Sequence, residues 1–182
     1  AVIIGAGLFM ERTEHTALVR QVTEDAKSWP VLEGPRVFYT GAEQEDTSLY
    51  EKIEAQGMVI VGEDTNWGDR CYNRDYNLDY PATRALVDRY MLREFSAKKA
   101  FVSQRVEALD REVDETKAEA VIFYTNLYDE VATWDIPNQK KSLASRGIAS
   151  CVFGKMLWPV AKNEGLDERL AAFAKELKGG DQ

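Results

Sequence analysis

Four short apolar runs punctuate an otherwise amphipathic chain: Arg36-Val-Phe-Tyr-Thr40, Met58-Val-Ile-Val61, Val121-Ile-Phe-Tyr-Thr125 and Ala149-Ser-Cys-Val-Phe153. The first three are rich in β-branched and aromatic side chains and give way to Gly41, Gly62 and Asn126; the fourth ends at Gly154. Continuous apolar runs of this length, bounded by turn residues, predict strands buried on both faces. Between them the periodicity is helical, predicting helices near 11–28, 46–56, 80–94, 97–117, 136–146 and 165–178. In the last, Leu166, Leu170, Phe173, Ala174 and Leu177 recur on one face. Asp46 or Thr47 can open the second helix and Gly57 can stop it, as Gly147 can stop the fifth.

Strands alternating with helices imply a parallel sheet with right-handed crossovers. The expected fold is α/β: a flavodoxin-like or Rossmann-like three-layer domain, with helices on both faces of four parallel strands. The short helix between strands one and two makes them neighbours. The long insertion over 63–120, which holds a polar loop, two helices and Pro81, carries the chain to the other side of strand one. The expected order is 2-1-3-4, with Thr40-Gly41 facing Thr125-Asn126 across a switch point. Residues 1–35 read as an amino-terminal helical segment joining an upstream half outside this chain. Residues 36–178 read as the α/β domain and 179–182 as a frayed tail. Asp69 to Asp79, rich in tyrosine and asparagine, reads as a surface lid.

Composition narrows the function classes. The chain has 182 residues, 45% hydrophobic and 30% charged, with a net charge of −8 and a pI near 4.8. That balance argues against nucleic acid, whose phosphates require a basic face. No apolar run approaches the ~20 residues that span a bilayer. The two cysteines, Cys71 and Cys151, lack metal-type spacing and imply no disulfide scaffold, so a reducing cytoplasm is expected. Cys151 reads as a small core residue, and Cys71 as the more exposed thiol. The single His15 falls in a polar helical stretch, which leaves acid–base work to carboxylates, tyrosines or lysines.

The candidate chemistry gathers after the strands. Glu63-Asp-Thr-Asn-Trp-Gly-Asp-Arg70 follows the second run and Thr125-Asn-Leu-Tyr-Asp-Glu130 the third. In an open α/β sheet ligands bind at the carboxyl ends of the strands. The candidate site therefore comprises Glu63 and Asp64 as proton-handling groups, with Thr40, Gly41, Asn66, Arg70, Thr125, Asn126 and Tyr128 binding substrate. No metal ligand is assigned. A carboxylate in a dry pocket has a raised pKa and can shuttle protons. Alternatively Asp64 caps the turn and Glu63 pairs with Arg70. In extended backbone the two carboxylates diverge, so only one faces a given ligand. Backbone N–H groups at Thr40-Gly-Ala42 can hold an anion, or simply form a tight turn. Tyr124 reads as a core ring and Tyr128 as a rim ring. Trp67 and Trp134 need a partner or ligand to cover them, although Trp134-Asp-Ile-Pro137 also reads as a helix start. Gly5-Ala-Gly7 suggests a dinucleotide fingerprint, but Met10 stands at the third glycine and no strand follows to carry the acidic ribose ligand.

Taken in order, these features resemble the 2-hydroxyacyl-CoA dehydratase and benzoyl-CoA reductase family. Gly34-Pro-Arg-Val-Phe-Tyr-Thr-Gly41 is followed by a helix and by Ile53-Glu-Ala-Gln-Gly-Met-Val-Ile-Val-Gly-Glu-Asp64, with Gly68 and Arg70 beyond. Ser103-Gln-Arg105, Ala118-Glu-Ala-Val-Ile-Phe123, Leu127-Tyr-Asp129, Trp134-Asp-Ile-Pro137, Arg146-Gly-Ile148, Arg169 and Phe173 continue the likeness through the carboxyl-terminal half of a family subunit. The resemblance implies a flavodoxin-like domain, an acyl-CoA thioester substrate and a homologous partner subunit. It also implies [4Fe-4S] clusters fed by an ATP-dependent activator protein. The family's cluster cysteines correspond to Asn66 and Tyr128, which supply no thiolate. The resemblance thus implies a subunit without its own cluster, whose [4Fe-4S] centre sits in a partner. The alternatives are a non-catalytic scaffold or acyl-CoA-binding subunit supporting a cluster-bearing partner, and a Rossmann-type nucleotide-dependent oxidoreductase.

Overall fold

The computed structural model describes residues 6–65, 75–91 and 101–179. They fall into two compact units, which divide between Glu33 and Gly34. The first is organised by helix α1 (Arg12–Ala26). Its first turn is closed by the Glu11 carboxylate, which accepts from the N–H groups of Thr13 (2.7 Å) and Glu14 (3.3 Å). These bonds satisfy two of the donors that a helix start leaves without partners. None of the α1 side chains is buried.

The second unit holds strands β1 (Arg36–Gly41), β2 (Val59–Glu63), β3 (Ala120–Asn126) and β4 (Ala149–Met156). All pairings are parallel and the order is β2-β1-β3-β4, as the connection lengths predict. The described helices of this unit are α2 (Ser48–Ala55), α3 (Ala82–Met91), α4 (Val102–Thr116), α5 (Glu130–Ser145) and α6 (Leu166–Gly179). Strand alternation sorts the core into two layers. Val37, Tyr39, Ile122 and Tyr124 pack with Leu49 and Ile53 of α2 and Leu170 and Phe173 of α6. Phe38, Val121 and Phe123 pack on the other face with Leu109 and Val113 of α4 and Ile136 and Leu143 of α5. Sheet and helices make a three-layer α/β fold. No helix among the described residues is long and apolar enough to cross a membrane.

One helix boundary departs from the sequence reading. The fifth predicted helix starts at Glu130, not near 136, and Pro137 lies inside it. Asp129 supplies the start: its carboxylate accepts from the Ala132 N–H at 3.2 Å. Proline inside a helix removes a backbone bond and costs ~3 kcal/mol. Tertiary packing offsets that cost, because Ile136 and Leu143 bury against the sheet and Asp135 is anchored.

That anchor is an ion pair between two helices of one layer. Arg105 of α4 grips Asp135 of α5 through two contacts, Nε to Oδ2 at 2.5 Å and Nη2 to Oδ1. The side chains are only 11% and 5% exposed, so neither charge has water to fall back on. Breaking a buried pair by removing one partner costs about 3–5 kcal/mol, whereas replacing both with apolar groups is often neutral. We therefore expect Asp135→Leu to lower unfolding free energy in urea by about that amount. Adding Arg105→Met to Asp135→Leu should restore most of it. Equal losses in the single and double variants would show that the charge is not what makes the site costly.

Candidate functional site

The carboxyl ends of β1 and β3 lie side by side. Thr40 pairs with Phe123 and Gly41 with Tyr124, and the Ala42 N–H then donates to the Tyr124 carbonyl at 2.7 Å. Gly41 has φ of +125°, and a Cβ there would stand 2.1 Å from that carbonyl oxygen. Only glycine allows β1 to leave the sheet this close to β3. Thr40 and Thr125 are both buried and share the strand parity of Phe38 and Phe123. Asn126 is exposed at the end of β3, and its carbonyl accepts from the Asp129 N–H at 3.0 Å to form the following turn. Tyr128 stands on that turn at 90% exposure, a rim position, and Trp134 is exposed on the first turns of α5. Tyr124 is a core ring, as its place in the third run predicts.

The acidic end of β2 is set by a bulge. Val37 pairs with Ile60, but Phe38 pairs with Gly62 and Tyr39 with Glu63, so β2 carries one residue more than β1 across this step. An extra residue reverses which face every later side chain takes. It therefore delivers Glu63 to the face of Tyr39 and α2. Gly62 fits because a Cβ there would meet Phe38 and Thr116 at 2.9 and 2.8 Å. Past the strand, the Asp64 N–H extends the ladder by donating to the Tyr39 carbonyl at 3.2 Å.

On its face, Glu63 meets a tyrosine network. The Tyr50 hydroxyl, from α2, donates to Glu63 Oε2 at 2.5 Å, and the Thr65 hydroxyl lies 3.4 Å from the same oxygen. The Tyr50 ring stands edge-on to Tyr39, with centroids 5.6 Å apart. Tyr39 donates its hydroxyl to the Ala42 carbonyl and accepts from the Gln44 amide at 2.8 Å. Burial pushes the pKa of both phenols up; the Tyr50 charge adds to the effect at Tyr39, and the hydrogen bond to Glu63 adds to it at Tyr50. Both rings therefore remain protonated donors through neutral pH. The network can hold a carboxylate in one orientation at the mouth of the sheet. Tyr50, Thr65 and Gln44 were not among the sequence-derived candidates. A tyrosine beside the apolar stripe of a helix is their one signal, because a part-buried phenol requires a polar partner.

Asn66, Arg70, Trp67 and Cys71 lie outside the described residues. So does Gly5. Gly7 belongs to the first unit, where a Cβ would stand 2.9 Å from the His15 ring, and the next described strand along the chain begins only at Arg36.

Comparison with known proteins places the chain in a family. The family model of the 2-hydroxyglutaryl-CoA dehydratase D-component matches residues 1–177. The chain belongs to that family. It is also similar to the (R)-phenyllactyl-CoA dehydratase beta subunit of Clostridium sporogenes, with 27% identity over 149 residues. The matched region is 80% of this chain and 40% of the relative, so the match spans less than half the length of that subunit.

The tyrosine network has a pH signature. In the unfolded chain a phenol ionises near pH 10, while in the folded chain Tyr39 and Tyr50 hold their protons above that. The folded state binds more protons there, so their contribution is complete below about pH 10 and is lost as pH rises further. Chemical denaturation across pH 8–12 should show stability falling on the alkaline side, by up to about 1.4 kcal/mol per pH unit for each such group. Tyr50→Phe should make that fall shallower. An unchanged slope in the variant would mean that Tyr50 ionises freely in the folded protein.

Proposed function

We propose that this chain forms all or part of a subunit acting on a 2-hydroxyacyl-CoA thioester, with the thioester docked at the carboxyl ends of β1, β2 and β3. The observation that carries this reading is the switch point of the strand order between β1 and β3, beside the acidic end of β2, in a member of this dehydratase family. Such switch points are where open α/β sheets bind ligands. The Asn126 amide and the backbone beyond Gly41 can hydrogen-bond a thioester carbonyl, with Thr40 and Thr125 buried beneath them as support. Glu63 and Asp64 can accept from a ligand hydroxyl or amide N–H. Carboxylates repel the phosphates of coenzyme A, so the acidic edge suits the acyl end and leaves the nucleotide end to basic groups such as Arg70.

On this reading the subunit carries no [4Fe-4S] cluster of its own. Such clusters are held by several converging cysteine thiolates. The chain has two cysteines, and Cys151 sits within β4 with its thiol pKa raised by burial. By the resemblance, the family's cluster cysteines fall at Tyr128, a solvent-exposed phenol, and at Asn66, an amide. This donor set does not fit the cluster. The iron centre then belongs to a homologous partner subunit, reduced by an ATP-dependent activator. The same donor set favours a second reading, in which the chain is a non-catalytic scaffold that comes with a cluster-bearing partner and is silent alone.

Two measurements test these readings. Calorimetric titration with an acyl-CoA should show binding that Glu63→Gln or Asp64→Asn weakens while the melting temperature changes little. If either substitution lowers the melting temperature markedly and leaves acyl-CoA affinity untouched, the carboxylates are structural. Purified without oxygen, the chain should be colourless and lack stoichiometric iron and sulfide. About four irons per chain, lost on mutation of Cys71, would restore a cluster to this subunit.

A further inference from the structure

The carboxylate that ends β2 is not held by its own strand alone. Glu63 is half-buried at the end of β2, turned to the α2 face by the bulge. A flexible glutamate side chain there has several rotamers, and fixing one costs entropy. Tyr50 supplies the constraint. Its hydroxyl donates to Glu63 Oε2 at 2.5 Å, and its ring is braced edge-on by the fully buried Tyr39. Tyr39 is in turn fixed by the Ala42 carbonyl and the Gln44 amide, on the segment that follows β1. The chain of contacts thus runs from the loop after β1 to the carboxylate. Leu49 and Ile53, on either side of Tyr50, are fully buried and hold α2 in place.

We propose that Tyr50 is a positioning residue of the candidate site: it fixes the Glu63 carboxylate so that the same group accepts a hydrogen bond from the 2-hydroxyl of a bound 2-hydroxyacyl thioester. A carboxylate has about four lone-pair sites, so a bond from Tyr50 is compatible with a bond from a ligand. A hydroxyl donor to an ionised acceptor is a strong, directional contact, and an analogue lacking the hydroxyl forgoes that contact. Tyr50 and Glu63 therefore discriminate hydroxyacyl from deoxyacyl thioesters. This inference rests on the reading that an acyl-CoA binds at this edge of the sheet.

The test is a double-variant cycle on affinity. Dissociation constants are measured for (R)-phenyllactyl-CoA, for 3-phenylpropionyl-CoA, which lacks the hydroxyl, and for coenzyme A itself. The proteins are the wild type, Tyr50→Phe, Glu63→Gln and the double variant. Tyr50→Phe should weaken phenyllactyl-CoA binding about five- to tenfold and leave the other two ligands within about twofold. The double variant should bind no more weakly than Glu63→Gln alone, because Tyr50 acts through Glu63. A general packing role for Tyr50 predicts something else: losses that are equal for all three ligands, or that add to those of Glu63→Gln. Either result overturns the inference. Should Tyr50→Phe fail to fold, Glu63→Gln must still lose affinity for the hydroxyacyl ligand alone, and a uniform loss overturns the inference. A wild-type protein that binds none of the three refutes the acyl-CoA reading itself. Binding with unchanged discrimination in both single variants refutes only the role of Tyr50 and Glu63.

Discussion

β1 is paired with β2 on one side and β3 on the other, and it is buried on both faces from Val37 to Thr40. Its two partners follow it by opposite routes. The chain reaches β2 through α2 on one face and β3 through α4 on the other. Right-handed crossovers require this change of face when the strand order reverses. β1 is followed by α2 on one face and β3 by α5 on the other, so the chain leaves the two strands in opposite directions. Gly41 makes the arrangement possible, because any Cβ would collide with the Tyr124 carbonyl against which β1 turns out of the sheet.

The bulge in β2 acts on the same edge with a smaller displacement. One additional residue opposite the Val37–Phe38 step changes the face of Glu63 and so chooses its neighbours. With it, Glu63 meets the Tyr50 hydroxyl. The energetic scale separates this contact from others on the surface. A hydrogen bond to a charged group in a part-buried setting is worth about 1.5–3 kcal/mol. The exposed Lys52–Asp167 pair at 2.7 Å belongs to a class worth ~0–1 kcal/mol. Tyr50 is therefore a stronger determinant of local order than the ion pair that links α2 to α6.

The opposite face is held differently. There the Arg105–Asp135 pair joins α4 to α5, and Arg146 reaches from the end of α5 to Asp110 at 3.0 Å and to Asp114. Ser142 adds a bond to Asp110 at 2.6 Å. These polar ties fix the two helices that cover Phe38, Val121 and Phe123. They also stabilise a helix interrupted by Pro137. One face of the sheet is thus clamped by charge pairs between helices, while the other holds a carboxylate at the end of β2.

Local pattern was enough for much of this. Apolar runs buried on both faces, separated by helical periodicity, made the strands and most helices legible, and connection length with crossover handedness set the order 2-1-3-4. Residue order and spacing also pointed to the dehydratase family, because strand ends, glycines and polar loops are local features of the chain. The start of α5 was less legible, since the Asp129 cap and the buried Asp135 outweigh the proline signal at 137 only when α4 is present to supply Arg105. The face that Glu63 takes was not legible at all. Strand periodicity says that adjacent side chains diverge, but a bulge is a property of the pair of strands, not of either alone. Tyr50 carries the same lesson: its place on α2 is written in the sequence, and its partner thirteen residues later exists only because β2 gained one residue against β1.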